Sequence, residues 1–362
     1  MQKSDFRSLA MYLLPAVISG AVTLALFTLI GATPFIRAAG LALVIAAMTL
    51  TLRRLGAWLA VSGGLALAFT PAFWSQTGGP PSGAPIMALV LGLTVGCALL
   101  ARRFGGRALL AVEIALLAGT VIFWRDFTYY NSLRITTLCA ALVLLALMDG
   151  LLRSNPRPGE APPAPLDDIH TMGLLLVFSI GVINEPLFLL FAPAIVLGLL
   201  LARSKIPLWY WGFWALAIAL AVFGWFFPGT GSNTRAPLLL LDGWRAAERW
   251  IMLIQLIVAQ FTPIGVLLGV LGLARLARWY PPLGVVTMVA YAAYVLFGLV
   301  YVGEDKAVLL LPLLMIQALW MTYAVYSFGE WLQKAFGQPR ARWVAPAAFM
   351  LLPLALLLQA VG

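Results

Sequence analysis

Charge is scarce in this sequence. Only 10% of its 362 residues are charged, against 63% hydrophobic, a balance that a soluble fold cannot cover with polar surface. Cysteine is scarcer still: Cys97 and Cys139 are the two in the chain. Each falls inside an apolar run, which excludes a disulfide framework and reads as a small buried hydrophobe. The single histidine, His170, starts a helix near Asp167 and Asp168 with no cysteine or carboxylate partners at ligand spacing, so neither a metal site nor a cofactor is expected. No phosphate-cradling glycine loop, dinucleotide fingerprint or GxSxG elbow occurs, which removes the usual parts of ATP-driven transport and hydrolase chemistry. The net charge of +10 does not point to nucleic acid, because basic residues never run longer than a pair and sit at the ends of apolar stretches.

Those apolar stretches are what the chain does have. Windows long enough to cross a bilayer lie near 8–31, 35–52, 56–74, 85–101, 108–124 and 135–152, then 169–183, 187–202, 207–227, 251–274, 281–301, 306–329 and 342–361; a span needs about 20 residues. The first is read as a helix, since it is long enough to span and lacks a strong basic leader and a clean cleavage site. The expected fold is an all-α integral membrane protein, a polytopic bundle of about 11–13 transmembrane helices. The proline-rich segment 154–168 reads as a cytoplasmic linker between an N-terminal half (1–153, six spans) and a C-terminal half (169–362, about seven).

Orientation follows from the loops. With the N-terminus in the cytoplasm, the outer side carries Arg37, Arg125, Arg134, Arg235, Arg245, Arg249 and Lys306, and the other 16 of the 23 basic residues (23 − 7) lie inside, the bias that governs insertion. The pair 169–183 and 187–202 is short for two crossings. Asn184, Glu185 and Pro186 break it, leaving a double crossing and a re-entrant hairpin both open.

Candidate chemistry is confined to a few residues. Glu113 lies inside the fifth span, where a carboxylate is costly unless protonated or paired. Glu185 sits at a helix break, where exposed backbone and a carboxylate together suit a cation or a polar headgroup. Asp126, and Asp305 in the tight corner Glu304-Asp305-Lys306, complete the outer acids of interest. Leu238–Trp250 mixes Asp242, Arg245, Glu248 and Arg249 with leucines and tryptophans, as expected of a helix lying on the outer interface. Arg235, Arg245 and Arg249 are the candidates for holding a lipid phosphate.

The stretch Phe69-Thr70-Pro71-Ala72-Phe73-Trp74-Ser75-Gln76, at the outer end of the third span, resembles a signature in bacterial relatives of the protein O-mannosyltransferases, membrane glycosyltransferases of the GT-C superfamily. A second echo is Gln260-Phe261-Thr262-Pro263-Ile264-Gly265, followed by an apolar span, the Arg275–Arg278 turn and the acidic corner at Glu304 and Asp305. The resemblance implies a GT-C-like scaffold in the bacterial plasma membrane. It also implies a polyprenyl-phosphate sugar as donor and an acidic residue in a large first extracytoplasmic loop. Here the chain departs from the pattern: only Ala32, Thr33 and Pro34 separate the first two spans, and Thr77–Gly83 carries no acid.

That departure favours a non-catalytic descendant, retained as a structural or lipid-contacting subunit among other membrane proteins. The alternatives are a working transferase using a polyprenyl-phosphate sugar, with Asp126, Glu185 or Asp305 as its acid, and a lipid or small-solute carrier built around the Asn184–Pro186 break.

Overall fold

The computed structural model describes residues 3–77, 133–155, 166, 168–204, 211–212, 214–215, 219 and 239–361. Glu113, Asp126 and Arg235, with the spans expected at 85–101 and 108–124 and most of 207–227, lie outside them. Every regular element described is helical: α1 (Lys3–Leu29), α2 (Phe35–Leu52), α3 (Ala57–Ala68), α4 (Pro71–Trp74), α5 (Leu133–Ser154), α6 (Asp168–Asn184), α7 (Ala192–Leu201), α8 (Ala247–Trp279), α9 (Pro281–Val300), α10 (Lys306–Leu309), α11 (Leu311–Phe336), α12 (Val344–Phe349) and α13 (Leu351–Val361). Among the described residues seven helices are long and apolar enough to cross a membrane, eight if the bent pair Ala57–Ala68 and Pro71–Thr77 forms one span. The protein is an all-α, multi-pass membrane protein.

α11 is the centre of the bundle. Its first fifteen residues, Leu311 to Val325, are all buried, whereas α1, α8 and the C-terminal helices turn broad apolar faces outward through residues such as Val17, Val270 and Leu358. Lipid is as apolar as leucine, so helices gain little by hiding apolar surface from each other, and close contact at small residues must hold them together. Gly265, Gly269 and Gly272 form such a face on α8: a Cβ on Gly269 would strike the Gln317 side chain, and one on Gly272 would strike the Trp320 carbonyl. On the N-terminal side, Ser19 of α1 shares a 2.8 Å hydrogen bond with Thr49 of α2. Gly64 of α3 packs on Thr49, and Gly63 packs on Thr322 of α11. Helices from both sides of the 154–168 linker therefore share one core.

Several expected spans are interrupted. The third ends at Ala68, and the segment after Pro71 turns by 67°, because Thr70 adopts an extended conformation (φ −61°, ψ 141°) ahead of the proline. Leu238–Trp250 is not one interfacial helix: Leu239 pairs with Tyr301, Leu241–Arg245 forms a 3-10 turn, and Glu248 to Trp250 already belong to α8. α8 itself breaks at Thr262, which has φ 64° and ψ 165° before Pro263. Contacts of α8 with Gly284 and Gly298 of α9 fall at Ala277 and Leu253. About 36 Å of α8 thus runs beside about 21 Å of α9 at 1.5 Å per residue, so the outer segment of α8 is inclined.

The hairpin 168–204 follows α5 from end to end. At its tip Asn184 donates to the Thr136 hydroxyl at 2.6 Å, and at its base the Asn155 amide donates to the Leu201 carbonyl at 3.4 Å. Thr136 to Asn155 corresponds to about 28 Å of helix, so the hairpin reaches as far along the bundle as α5 does. The base lies at the face where the carboxylate of Asp149 meets Arg153 at 2.6 Å and Arg54 at 3.9 Å, the face assigned to the cytoplasm.

The glycine face of α8 gives a direct test. Gly272→Leu would drive a side chain into the α11 backbone, and overpacking of a tight site costs about 1–3 kcal/mol or more. The variant should unfold at lower temperature in detergent and extract poorly, whereas Gly40→Ala, at a position where an added Cβ meets nothing within 4 Å, should match the wild type.

Candidate functional site at the outer rim

Helix breaks concentrate polar groups at the rim opposite the Asp149 face. The first arises where Pro71 starts α4. Thr70 caps this short helix, its hydroxyl accepting from the Phe73 amide at 3.4 Å and donating to the Leu67 carbonyl at 2.8 Å. Trp74 meets Phe27, near the outer end of α1, edge-on at 5.0 Å between ring centroids. The amide of Ala72, an unpaired donor in the first turn of α4, is satisfied from far along the chain: it donates to Gln260 Oε1 at 2.8 Å in a buried bond. Gln260 stands just before the break in α8. Beyond that break the Gln317 amide of α11 donates to the Gly265 carbonyl at 3.2 Å. The two resembling stretches are thus joined through Ala72, which follows Phe69-Thr70-Pro71, and Gln260, which precedes Phe261-Thr262-Pro263.

The second break holds Glu185. Pro186 has no N–H, so the Val182 carbonyl loses its helical donor and α6 ends. Glu185 is extended (φ −146°, ψ 109°), and a 3-10 turn, Pro186–Phe191, follows. Although it carries a carboxylate, Glu185 is only 2% exposed. It lines a cavity of about 10 Å³ with Thr136, Thr137, Phe188, Tyr294 and Leu309, room for about one water molecule. Its lining combines the hydroxyl-bearing residues Thr136, Thr137 and Tyr294 with the apolar Phe188 and Leu309. Tyr294 packs edge-on against Phe191 at 5.3 Å, which fixes the wall of the chamber.

The third feature is the corner between α9 and α11. Tyr301 stacks on Phe297 at 4.9 Å and donates its hydroxyl to Asp305 Oδ1 at 2.6 Å, the short distance of a charge-assisted bond. The Leu240 amide donates to the Val300 carbonyl at 2.8 Å, and Gly243 sits where a Cβ would clash with the Leu299 carbonyl. These contacts hold residues 239–245 against the corner. Arg245 remains outermost, with its side chain 69% exposed and 3.7 Å from Asp242, and rests 5.0 Å over the Trp244 ring. Arg249 and Lys306 are half-buried. Burial first, and the positive charge of Arg249 second, hold the Lys306 amine below its ordinary range.

The rim therefore brings together Glu185, by way of its chamber, and Asp305, whose helical turn carries the chamber residues Val308 and Leu309. Arg249 belongs to the same rim, and Arg245 lies at its solvent edge. Tyr294, Thr136, Thr137 and Tyr301 belong to it but were not singled out by sequence. Only Tyr301 had a local signal, its four-residue helical spacing from Asp305. Among the described residues no group of three His, Cys, Asp or Glu side chains is placed to hold a metal ion. Compared with known proteins, the chain matches no protein-family model, no curated protein and no solved structure.

Two substitutions test how the rim is held. Gln260→Leu leaves the Ala72 amide buried without an acceptor and should cost about 1–3 kcal/mol. Tyr301→Phe removes the hydroxyl from Asp305 and should cost about 1.5 kcal/mol. Thermal unfolding of the purified protein in detergent should show both losses.

Proposed function

We propose that this chain is a GT-C-like protein of the bacterial plasma membrane that serves as a non-catalytic, lipid-contacting subunit of a larger membrane assembly. The observation that carries the reading is the state of its acids. A general base needs its carboxylate within hydrogen-bond reach of an acceptor hydroxyl. Glu185 faces a chamber of about 10 Å³, too small for a sugar, and Asp305 is engaged by Tyr301. Glu185 and Asp305 are thus used within the fold, while Arg245, Arg249 and Lys306, with the exposed Asp242, Glu248 and Glu304, are left toward the interface where lipid headgroups lie.

The direct bond between Ala72 and Gln260 supports the scaffold half of the reading, since the two stretches that resemble the glycosyltransferase signature cooperate in space. The same cationic edge is what the alternative, an active enzyme using a polyprenyl-phosphate sugar, would use to grip its donor. A carrier gains less support: a path along the Asn184–Pro186 break would have to pass the Phe188 and Tyr294 wall.

Extraction in mild detergent, native electrophoresis and mass spectrometry of the migrating species test the proposal. Stoichiometric protein partners are expected, and Glu185→Gln and Asp305→Asn should leave that assembly intact. A solitary chain that transfers sugar from a polyprenyl-phosphate lipid, and loses the transfer in Asp305→Asn, would overturn it.

A further inference from the structure

Two cations that repel each other are held side by side at the outer rim. Leu253 of α8 and Leu310, at the start of α11, both pack on Gly298 of α9, each within 3.1 Å of where its Cβ would stand. Arg249 lies one helical turn before Leu253. Lys306 lies one turn before Leu310, the turn being closed by the bond from the Leu310 amide to the Lys306 carbonyl at 3.0 Å. Both helices run inward from the rim at this contact, so the two basic side chains emerge together on its outer side.

Among the described residues Arg249 and Lys306 make no ion pair: Asp242 is taken by Arg245, Asp305 receives the Tyr301 hydroxyl, and Glu248 and Glu304 are exposed. Both cations are half-buried, which weakens solvent screening of their repulsion. The fold enforces the proximity through Gly298 below and through the pairing of Leu239 with Tyr301 beside it. An incoming anion with more than one charged oxygen would relieve the repulsion. The guanidinium suits two oxygens of one group and the ammonium a third.

We propose that Arg249 and Lys306 form a clamp for a phosphate monoester at the outer membrane surface. The inference deepens the lipid-contacting reading above by naming the headgroup chemistry. The start of α8 adds the positive end of its dipole to the same place, and Trp244 and Trp250, exposed nearby and joined by the bond from Trp250 Nε1 to the Trp244 carbonyl at 2.8 Å, suit the interfacial depth of such a headgroup.

The test uses the full chain in detergent with three probes: short-chain phosphatidic acid, phosphatidylcholine of equal chain length, and inorganic phosphate. Phosphatidic acid should bind the wild type and protect Lys306 from amine-reactive labelling. The double variant R249Q/K306Q should bind it roughly tenfold more weakly or worse, R249K/K306R should keep most of the affinity, and phosphatidylcholine should distinguish none of them. Inorganic phosphate competing at equal concentration would support the same clamp with a soluble ligand, and its failure to compete would support a lipid ligand. Equal phosphatidic acid affinity in the wild type and R249Q/K306Q, or no protection of Lys306, would overturn the proposal. The partner complement of R249Q/K306Q separates the two readings, because loss of the clamp with partners retained leaves the subunit role standing.

Discussion

A bilayer offers a broken helix no water, so each interruption of the backbone must be repaired by the protein itself. That constraint shapes this molecule more than any apolar contact does. Pro71, Pro186 and Pro263 each end or bend a helix within an otherwise apolar stretch, and each is accompanied by a polar side chain: Thr70 and Gln260 at the first, Asn184 at the second, Gln317 at the third. Each break includes one long-range bond, so the breaks do more than shorten helices. They tie α4 to α8 and α6 to α5, and they fix which loops share the rim.

The repairs also explain why the bundle tolerates a 33-residue α8. A straight helix of that length would measure about 50 Å and project far beyond the hydrocarbon. Thr262 takes a backbone conformation that a β-branched residue rarely adopts, and the outer segment inclines over the rim. The inner segment keeps Gly265, Gly269 and Gly272 against α11. One strained residue thus separates a packing helix from the segment that carries Arg249.

Much of this was legible in the sequence, because membrane folding leaves strong compositional marks. The helical class, the multi-pass character and most helix ends follow from apolar length and from the placement of arginine and tryptophan. Trp58, Trp331 and Trp343 face outward near helix ends, while Trp214 and Trp320 are buried, as a depth-dependent preference requires. The breaks at Thr70 and Thr262 were marked by the prolines that follow them but were hidden by apolar windows that read across both. The Glu185 chamber was half visible. Its carboxylate stood out at a helix break, but Thr136, Thr137 and Tyr294 are ordinary residues of other apolar runs, and only tertiary packing brings them together. The neighbours Arg249 and Lys306 belong to segments far apart in the chain, and only their shared contact with Gly298 makes them a pair.

The rim is therefore asymmetric in charge. Of its described acids, Asp242, Glu248 and Glu304 stay exposed, whereas Glu185 is buried beside a cavity with room for about one water and Asp305 receives the Tyr301 hydroxyl. Its cations are left at the edge, one paired with Asp242 and two facing each other. Turning a carboxylate inward costs solvation that only close hydroxyl partners restore, so those acids are poor candidates for a group that must exchange protons with a substrate. Two cations with no ion pair among the described residues carry the opposite liability, repulsion that an anion from outside can relieve. The arrangement fits a protein whose outer face binds anionic lipid more readily than one that transforms it.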